Sequence, residues 1–211
     1  FDSMILQFTP VTANFPSAGT SQHRLSLDII NNFLKPQPTV NSSVIEDNEV
    51  QRLTYSYSKM FRSGEFTLKL PILSRNGGIL DEIMNTWHRV FGIAGSIDAP
   101  TGRQNTKSYK SIIRVESLGH TVVNKGNAFG IGDISAFWRV PVNASSSRIA
   151  LSVSGGLKLP TGSYSDLLGS GGIDGGTMLA VLYPLSNSLR CHAGLGYIIP
   201  GTVHSGLPAA H

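Results

Sequence analysis

Several stretches of the chain carry residue types whose spacing could do chemistry. Ser56 and Lys59 stand three positions apart, as in serine acyl enzymes, where the lysine must lie one helical turn from its nucleophile. The residues around them alternate apolar and polar, so the pair falls on a strand and the two side chains leave on opposite faces. The six histidines, His23, His88, His120, His192, His204 and His211, show neither the HxH nor the HExxH spacing that holds zinc. Gly169-Ser170-Gly171-Gly172 lacks the lysine and the following helix of a phosphate loop, and reads as a surface loop. Leu159-Pro160-Thr161-Gly162 is one residue short of the sortase signal LPxTG and reads as a strand ending at proline. The expectation is no catalytic residue, no metal site, no cofactor and no enzyme.

Residues 76–92, NGGILDEIMNTWHRVFG, differ from the rest by their helical period. Ile79, Ile83, Trp87 and Val90, joined by Leu80, Met84 and Phe91, form a wide apolar stripe, with Asn85, His88 and Arg89 on the other side. Asp81 and Glu82 suit the positive end of the helix dipole, and Gly92 stops the last turn. Such a helix can pack on a scaffold, close a cavity as a lid, or lie on a membrane surface. Trp87 combines apolar area with a polar handle, and His88 can change charge near neutral pH. The candidate mouth or lumen contacts are Asp81, Trp87, His88 and Arg89 on this helix, with Asp133 and Lys158 on strands.

The elements that would position these residues are strands. Leu25, Leu27, Ile29 and Phe33 alternate with Ser26, Asp28 and Asn32, and Leu53, Tyr55, Tyr57 and Phe61 alternate with polar neighbours up to the turn Arg62-Ser63-Gly64. Phe66, Leu68, Leu70 and Ile72 return as the second arm of a hairpin. Further strands are expected at 107–115, 120–124, 134–140, 149–159, 174–185 and 189–199, with a polar connection at 35–49 and a bend at 126–130. Connections alternate long and short, which places tight turns at one rim and larger loops at the other, as in outer-membrane barrels. The expected fold is all-β: an up-and-down antiparallel transmembrane β-barrel with nine or more strands and one helix in the long loop between strands three and four. Residues 1–22 form a lead-in segment, and 23–211 form a single barrel domain that lacks its closing strands at the C-terminal end. Asp28, Arg52, Lys69, Arg114, Asp133, Arg139, Lys158 and Arg190 would line the polar inner face.

Composition agrees with a surface that is not wholly in water. Charged residues make up 14% of the 211, against about 25% in ordinary soluble proteins. The net charge of +4 is scattered, without the basic stripe interleaved with aromatics that nucleic acid requires, so no nucleic-acid partner is expected. A single cysteine, Cys191, excludes an internal disulfide. No run of about 18 apolar residues is present, and a strand-built membrane protein would lack one too. The expected location is the bacterial outer membrane, with outer-membrane lipid and a small-molecule solute as partners. Two alternatives remain: a soluble lipocalin-like barrel holding an apolar ligand, and a purely structural membrane barrel.

The helical segment 76–92, Gly130-Ile131-Gly132-Asp133 opening a strand, Leu157-Lys158-Leu159-Pro160-Thr161-Gly162 closing one, and Gly169-Ser170-Gly171-Gly172 with Asp174 together resemble a bacterial family of outer-membrane barrels, the domain of unknown function 3187. Leu25-Ser26-Leu27-Asp28 with Asn31-Asn32-Phe33 fits it as well. The resemblance implies a Gram-negative outer-membrane location and a barrel. It carries no activity or site residues to transfer.

Overall fold

A computed structural model describes residues 6–8, 15–34, 42–78, 80–92, 111–118, 120–143, 149–186 and 188–201. Its strands are β1 (Ser21–Leu34), β2 (Ser42–Phe61), β3 (Gly64–Asn76), β4 (Ile112–Ser117), β5 (His120–Lys125), β6 (Ala128–Ile131), β7 (Ile134–Pro141), β8 (Ala150–Leu159), β9 (Asp174–Pro184) and β10 (Arg190–Ile199). One helix, α1 (Leu80–Phe91), follows β3 and ends at Gly92, whose φ of 62° is the left-handed conformation that stops a helix without a Cβ clash. The chain divides into two compact units. The first holds Phe1–Ser26, Leu53–Ile72 and Gly130–Ser205, and the second holds Leu27–Arg52, Leu73–Phe129 and Gly206–His211.

In the first unit the hydrogen-bonded order is β10-β9-β8-β7-β3-β2, with β10–β9, β9–β8, β8–β7 and β7–β3 antiparallel. The strands form where Val, Leu, Ile and Tyr alternate with polar residues, since period-two patterning suits a sheet with two unlike faces. Tight connections at 62–63 and 185–189 lie at one end of these strands, and the 160–173 connection and the exit from β3 lie at the other. Asn143 helps close the 142–149 turn by accepting from the Leu151 amide at 2.9 Å and donating to the Ile149 carbonyl.

The expected up-and-down order is corrected here. The in-sheet neighbour of β3 is β7, through Glu65 opposite Arg139 and Lys69 opposite Ser135, and not β4. In the second unit, residues 112–117 of β4 pair with 42–47 of β2, and β5 pairs with β4 around a bulge between Val115 and Glu116. Strand period is local and says nothing about which edge a hairpin joins, so β4 and β5 looked like the next two staves. Removing that hairpin deletes two connections at once, which is why the alternation of long and short connections survives.

Two further differences concern polar segments. The expected polar connection at 35–49 is strand from Ser42 onward, with Asp47, Asn48 and Glu49 buried. Their partners lie close by: Asn32 donates to Asn48 at 3.3 Å, Gln51 donates to Glu49 at 2.8 Å, and the Leu80 amide donates to Glu49 at 2.9 Å. The expected bend at 126–130 contains the short strand β6, paired with β3. Residues 107–110 of the expected fourth strand lie outside the described residues. Among the described residues the pairing path does not close from β10 onto β1 or β5.

Candidate functional site

On β8 and in part of β7, polar side chains are buried and apolar ones exposed, the reverse of a water-soluble sheet. Along β8, Ser152, Ser154 and Lys158 are buried while Val153, Leu157 and Leu159 are exposed. On β7, Arg139 is buried and the neighbouring Trp138 is exposed. Leu179 on β9, opposite Val153, is exposed on the same face, and β10 is exposed on both faces. Among the described residues of the whole chain, twelve polar or charged side chains are buried against nine apolar ones. In ordinary globular interiors charged residues are seldom buried and apolar ones dominate.

Burying charge is costly unless every group is paired and hydrogen-bonded, and for Lys158, Asp133, Asp174, Arg139 and Glu65 the partners are present. At the long-connection end, Lys158 Nζ lies 2.8 Å from Asp133 Oδ2 and 3.2 Å from Asp174 Oδ2, and it also donates to Ser170 Oγ. Asp133 Oδ1 accepts from the Gly162 amide at 2.9 Å, and Oδ2 accepts from the Ser170 amide at 2.8 Å. Asp174 accepts from the Leu6 amide at 2.9 Å and from the Gly201 amide at 2.9 Å. The ammonium is thus held between two carboxylates that are themselves saturated by backbone N–H groups. Such a lysine is a fastener for the 160–173 connection and for residues 6 and 201, not a free nucleophile. Thr161 adds to the fastening by accepting from the Ile134 amide and donating to the Gly132 carbonyl, each at 2.9 Å.

At the tight-turn end, Arg139 donates through Nε to Glu65 Oε2 at 2.9 Å and through a second nitrogen to the same oxygen. The guanidinium carbon sits 4.3 Å from the Phe15 ring centroid, a cation–π contact. Between the two ends, Phe8 packs edge-on against Phe137 with centroids 5.5 Å apart, and Lys69 Nζ lies 4.6 Å from the Phe137 centroid. Phe8 fits because Gly156 and Gly176 face each other in register, and a Cβ on either would lie 3.3 Å and 2.9 Å from its ring.

Of the residues expected at a mouth or lumen, Asp133 and Lys158 are brought together as one ion pair. Asp81, His88 and Arg89 fall on α1, and their side chains lie outside the described part of the structure. Trp87 on α1 is 59% exposed and stacks on Phe91 with centroids 4.4 Å apart, so its packing partner is its own helix. Of the eight polar residues expected on one face, Arg190 is exposed, and Arg52 pairs with Asp28 at 3.1 Å within the second unit. Asp174, Ser170, Glu65, Phe8 and Phe15 were missed as site residues. The signal that could have found the aromatic pair is the parity of Gly156 and Gly176, which leaves a gap on the polar face.

Among the described residues no group of three or more His, Cys, Asp or Glu side chains is placed to hold a metal ion. The chain matches, over residues 1–202, the family described as Protein of unknown function (DUF3187), and it belongs to that family. No curated protein and no solved structure matches it.

Proposed function

We propose that the chain is an outer-membrane β-barrel protein whose strands cross the bilayer and whose paired polar face lines an interior for passage or binding of a small polar solute. The observation that carries this reading is the parity of β8, where Ser152, Ser154 and Lys158 are buried and Val153, Leu157 and Leu159 are exposed. Lipid is the solvent in which that arrangement is favourable, because each outward Leu or Val then meets acyl chains. Among the described residues no helix is long and apolar enough to cross a membrane, so the crossing in this reading is made by strands. A sheet in lipid must leave no open edge, so the barrel closes onto β10 in this reading.

The helix α1 follows β3 in the chain, and we assign the end at which β3 leaves the first unit, which also bears residues 160–173, to the extracellular mouth. Asp81, Trp87, His88 and Arg89 are then mouth residues. No chemical step is part of this role. A soluble barrel holding an apolar ligand accounts less well for the same parity, since it would turn Lys158 outward and Leu157 inward.

Reconstitution tests the reading directly. In Trp87→Phe protein, acyl chains brominated near the headgroups quench Trp138 fluorescence, and the unheated protein migrates faster on a gel than the boiled one. Protein that stays folded and monomeric in plain buffer, with Trp138 unquenched, sinks the proposal.

A further inference from the structure

At the tight-turn end of the first unit, the face that carries the exposed apolar side chains changes in chemistry. β1 enters there, since the Gly19 amide donates to the Met60 carbonyl and the Met60 amide to the Thr20 carbonyl, each at 2.9 Å. Along β2, Tyr55, Tyr57, Lys59 and Phe61 share one side by parity, and Tyr55 and Phe61 are exposed. His23 of β1 lies against this row, its Nδ1 2.7 Å from the Tyr55 hydroxyl oxygen and its ring centroid 5.3 Å from that of Tyr57. Phe61 packs on Trp138 with centroids 5.7 Å apart, and Arg62 follows, exposed, in the turn. From Tyr57 to Phe61 the strand advances about 13 Å, or about 9 Å in depth at a tilt of about 45°. That is close to the headgroup zone of a bilayer, about 5–8 Å on each side of the hydrocarbon. Exposed charge at this end has one sign. Among the described residues 17–24, 59–66, 138–143, 149–151, 183–186 and 188–192, the single carboxylate is Glu65, buried against Arg139, whereas Arg24, Arg62 and Arg190 are exposed.

We propose that this band is a binding surface for anionic glycerophospholipid, with Lys59 and Arg62 on the phosphate and the rings of Tyr57, Phe61 and Trp138 against the glycerol and upper acyl region. This rests on the membrane-barrel reading above, in which the tight-turn end meets the inner leaflet. Aromatic rings with a polar edge settle at that depth, and the His23–Tyr55 pair adds a polar edge already joined by a hydrogen bond. Lys59 stands between two rings on a lipid-facing row, where its apolar stem can lie along them while the ammonium reaches the headgroups. The Arg62 guanidinium offers paired donors that match a phosphate. Charge selects the class of lipid. Basic residues near a membrane surface favour a lipid of net negative charge over a zwitterionic one, by about fivefold for one cation. Farther from this end, the same face of β8 carries Val153, Leu157 and Leu159 without a cation, so the chemistry that fits a headgroup is confined to the rim.

Full-length Trp87→Phe protein, in which Trp138 is the sole indole, tests the inference after folding into phosphatidylcholine vesicles. One set of vesicles carries a minor share of phosphatidylglycerol brominated on its acyl chains near the headgroup, and the other carries the same share of phosphatidylcholine brominated in the same way. Brominated phosphatidylglycerol is expected to quench Trp138 at about fivefold lower mole fraction than brominated phosphatidylcholine. High salt is expected to shrink that advantage. Lys59→Gln/Arg62→Gln is expected to abolish the preference, and Lys59→Arg to keep it. Arg62→Gln alone, in the exposed turn, is expected to lower it about twofold, and an unchanged preference there overturns the inference even if the double variant does not fold. Equal quenching by the two lipids with the native rim, or a preference that the double variant retains, overturns the headgroup surface while the membrane reading stands, because Trp138 is still quenched. Trp138 quenched by neither lipid overturns both.

Discussion

Lys158 Nζ lies 2.8 Å from Asp133 Oδ2, with the two side chains 2% and 1% accessible. Removing one partner of a buried pair leaves an uncompensated charge, at a cost of about 3–5 kcal/mol. Lys158→Ala is therefore expected to destabilise by that amount, measured as the shift in the urea midpoint of unfolding from detergent or lipid. Lys158→Ala/Asp133→Asn should recover part of the loss, because the stranded carboxylate is gone while Asp174 keeps its two amide donors. A double variant no better than the single one would count against the pairing.

Adjacent glycines on β8 give a contrast in one strand. A Cβ on Gly156 would lie 2.8 Å from the Phe137 ring and 3.3 Å from Phe8, whereas nothing lies within 4 Å of a Cβ on Gly155. Gly156→Ala should destabilise by about 1–3 kcal/mol through overpacking. Gly155→Ala should be neutral or slightly stabilising, since it meets open space and restricts the unfolded chain. Parallel thermal melts of the two variants decide it.

What could be read from the sequence follows from the range of each signal. Face parity was legible on β8 because period two is local: Ser152, Ser154 and Lys158 had to share one side and Val153, Leu157 and Leu159 the other. The partners of Lys158 were not, because Asp133 and Asp174 reach it only once β7, β8 and β9 are known to be neighbours. The β4–β5 hairpin was misplaced for the same reason. Residues 42–49 were misread for another: Glu46, Asp47, Asn48 and Glu49 look like a solvated loop, and only the buried partners of Asn48 and Glu49 reveal a strand. The covering of the inner face by Leu6 and Phe8 was missed because residues 1–22 carry Pro10, Pro16 and Gly19 and no period at all.

Leu157 separates lipid from water as the outer solvent. It is exposed, opposite Ala136 in the β7–β8 register. In a bilayer, Leu157→Arg should cost about 2–4 kcal/mol near the midplane and less toward either interface. On a water-facing strand the same change is expected to stay within about 0.5 kcal/mol. Folding titrations into phosphatidylcholine vesicles, comparing Leu157→Arg with Leu157→Ala, read the difference.

Glu49 caps α1 from another strand. Its Oε2 accepts from the Leu80 amide at 2.9 Å, at the first turn of the helix, where four N–H groups have no partner within the helix and a negative charge is favoured. Its other oxygen accepts from Gln51 Nε2 at 2.8 Å, which fixes the carboxylate in place. Glu49→Ala should cost about 1 kcal/mol of helix stability, as removal of an N-terminal cap does. Trp87 and Phe91, both exposed, stack on each other on the helix with centroids 4.4 Å apart. Hydrogen exchange of the amides in residues 80–83 should therefore accelerate about fivefold in Glu49→Ala, with the amides of β4 and β5 unchanged. Equal acceleration in the strands would show that Glu49 supports its own unit as a whole and not the helix start.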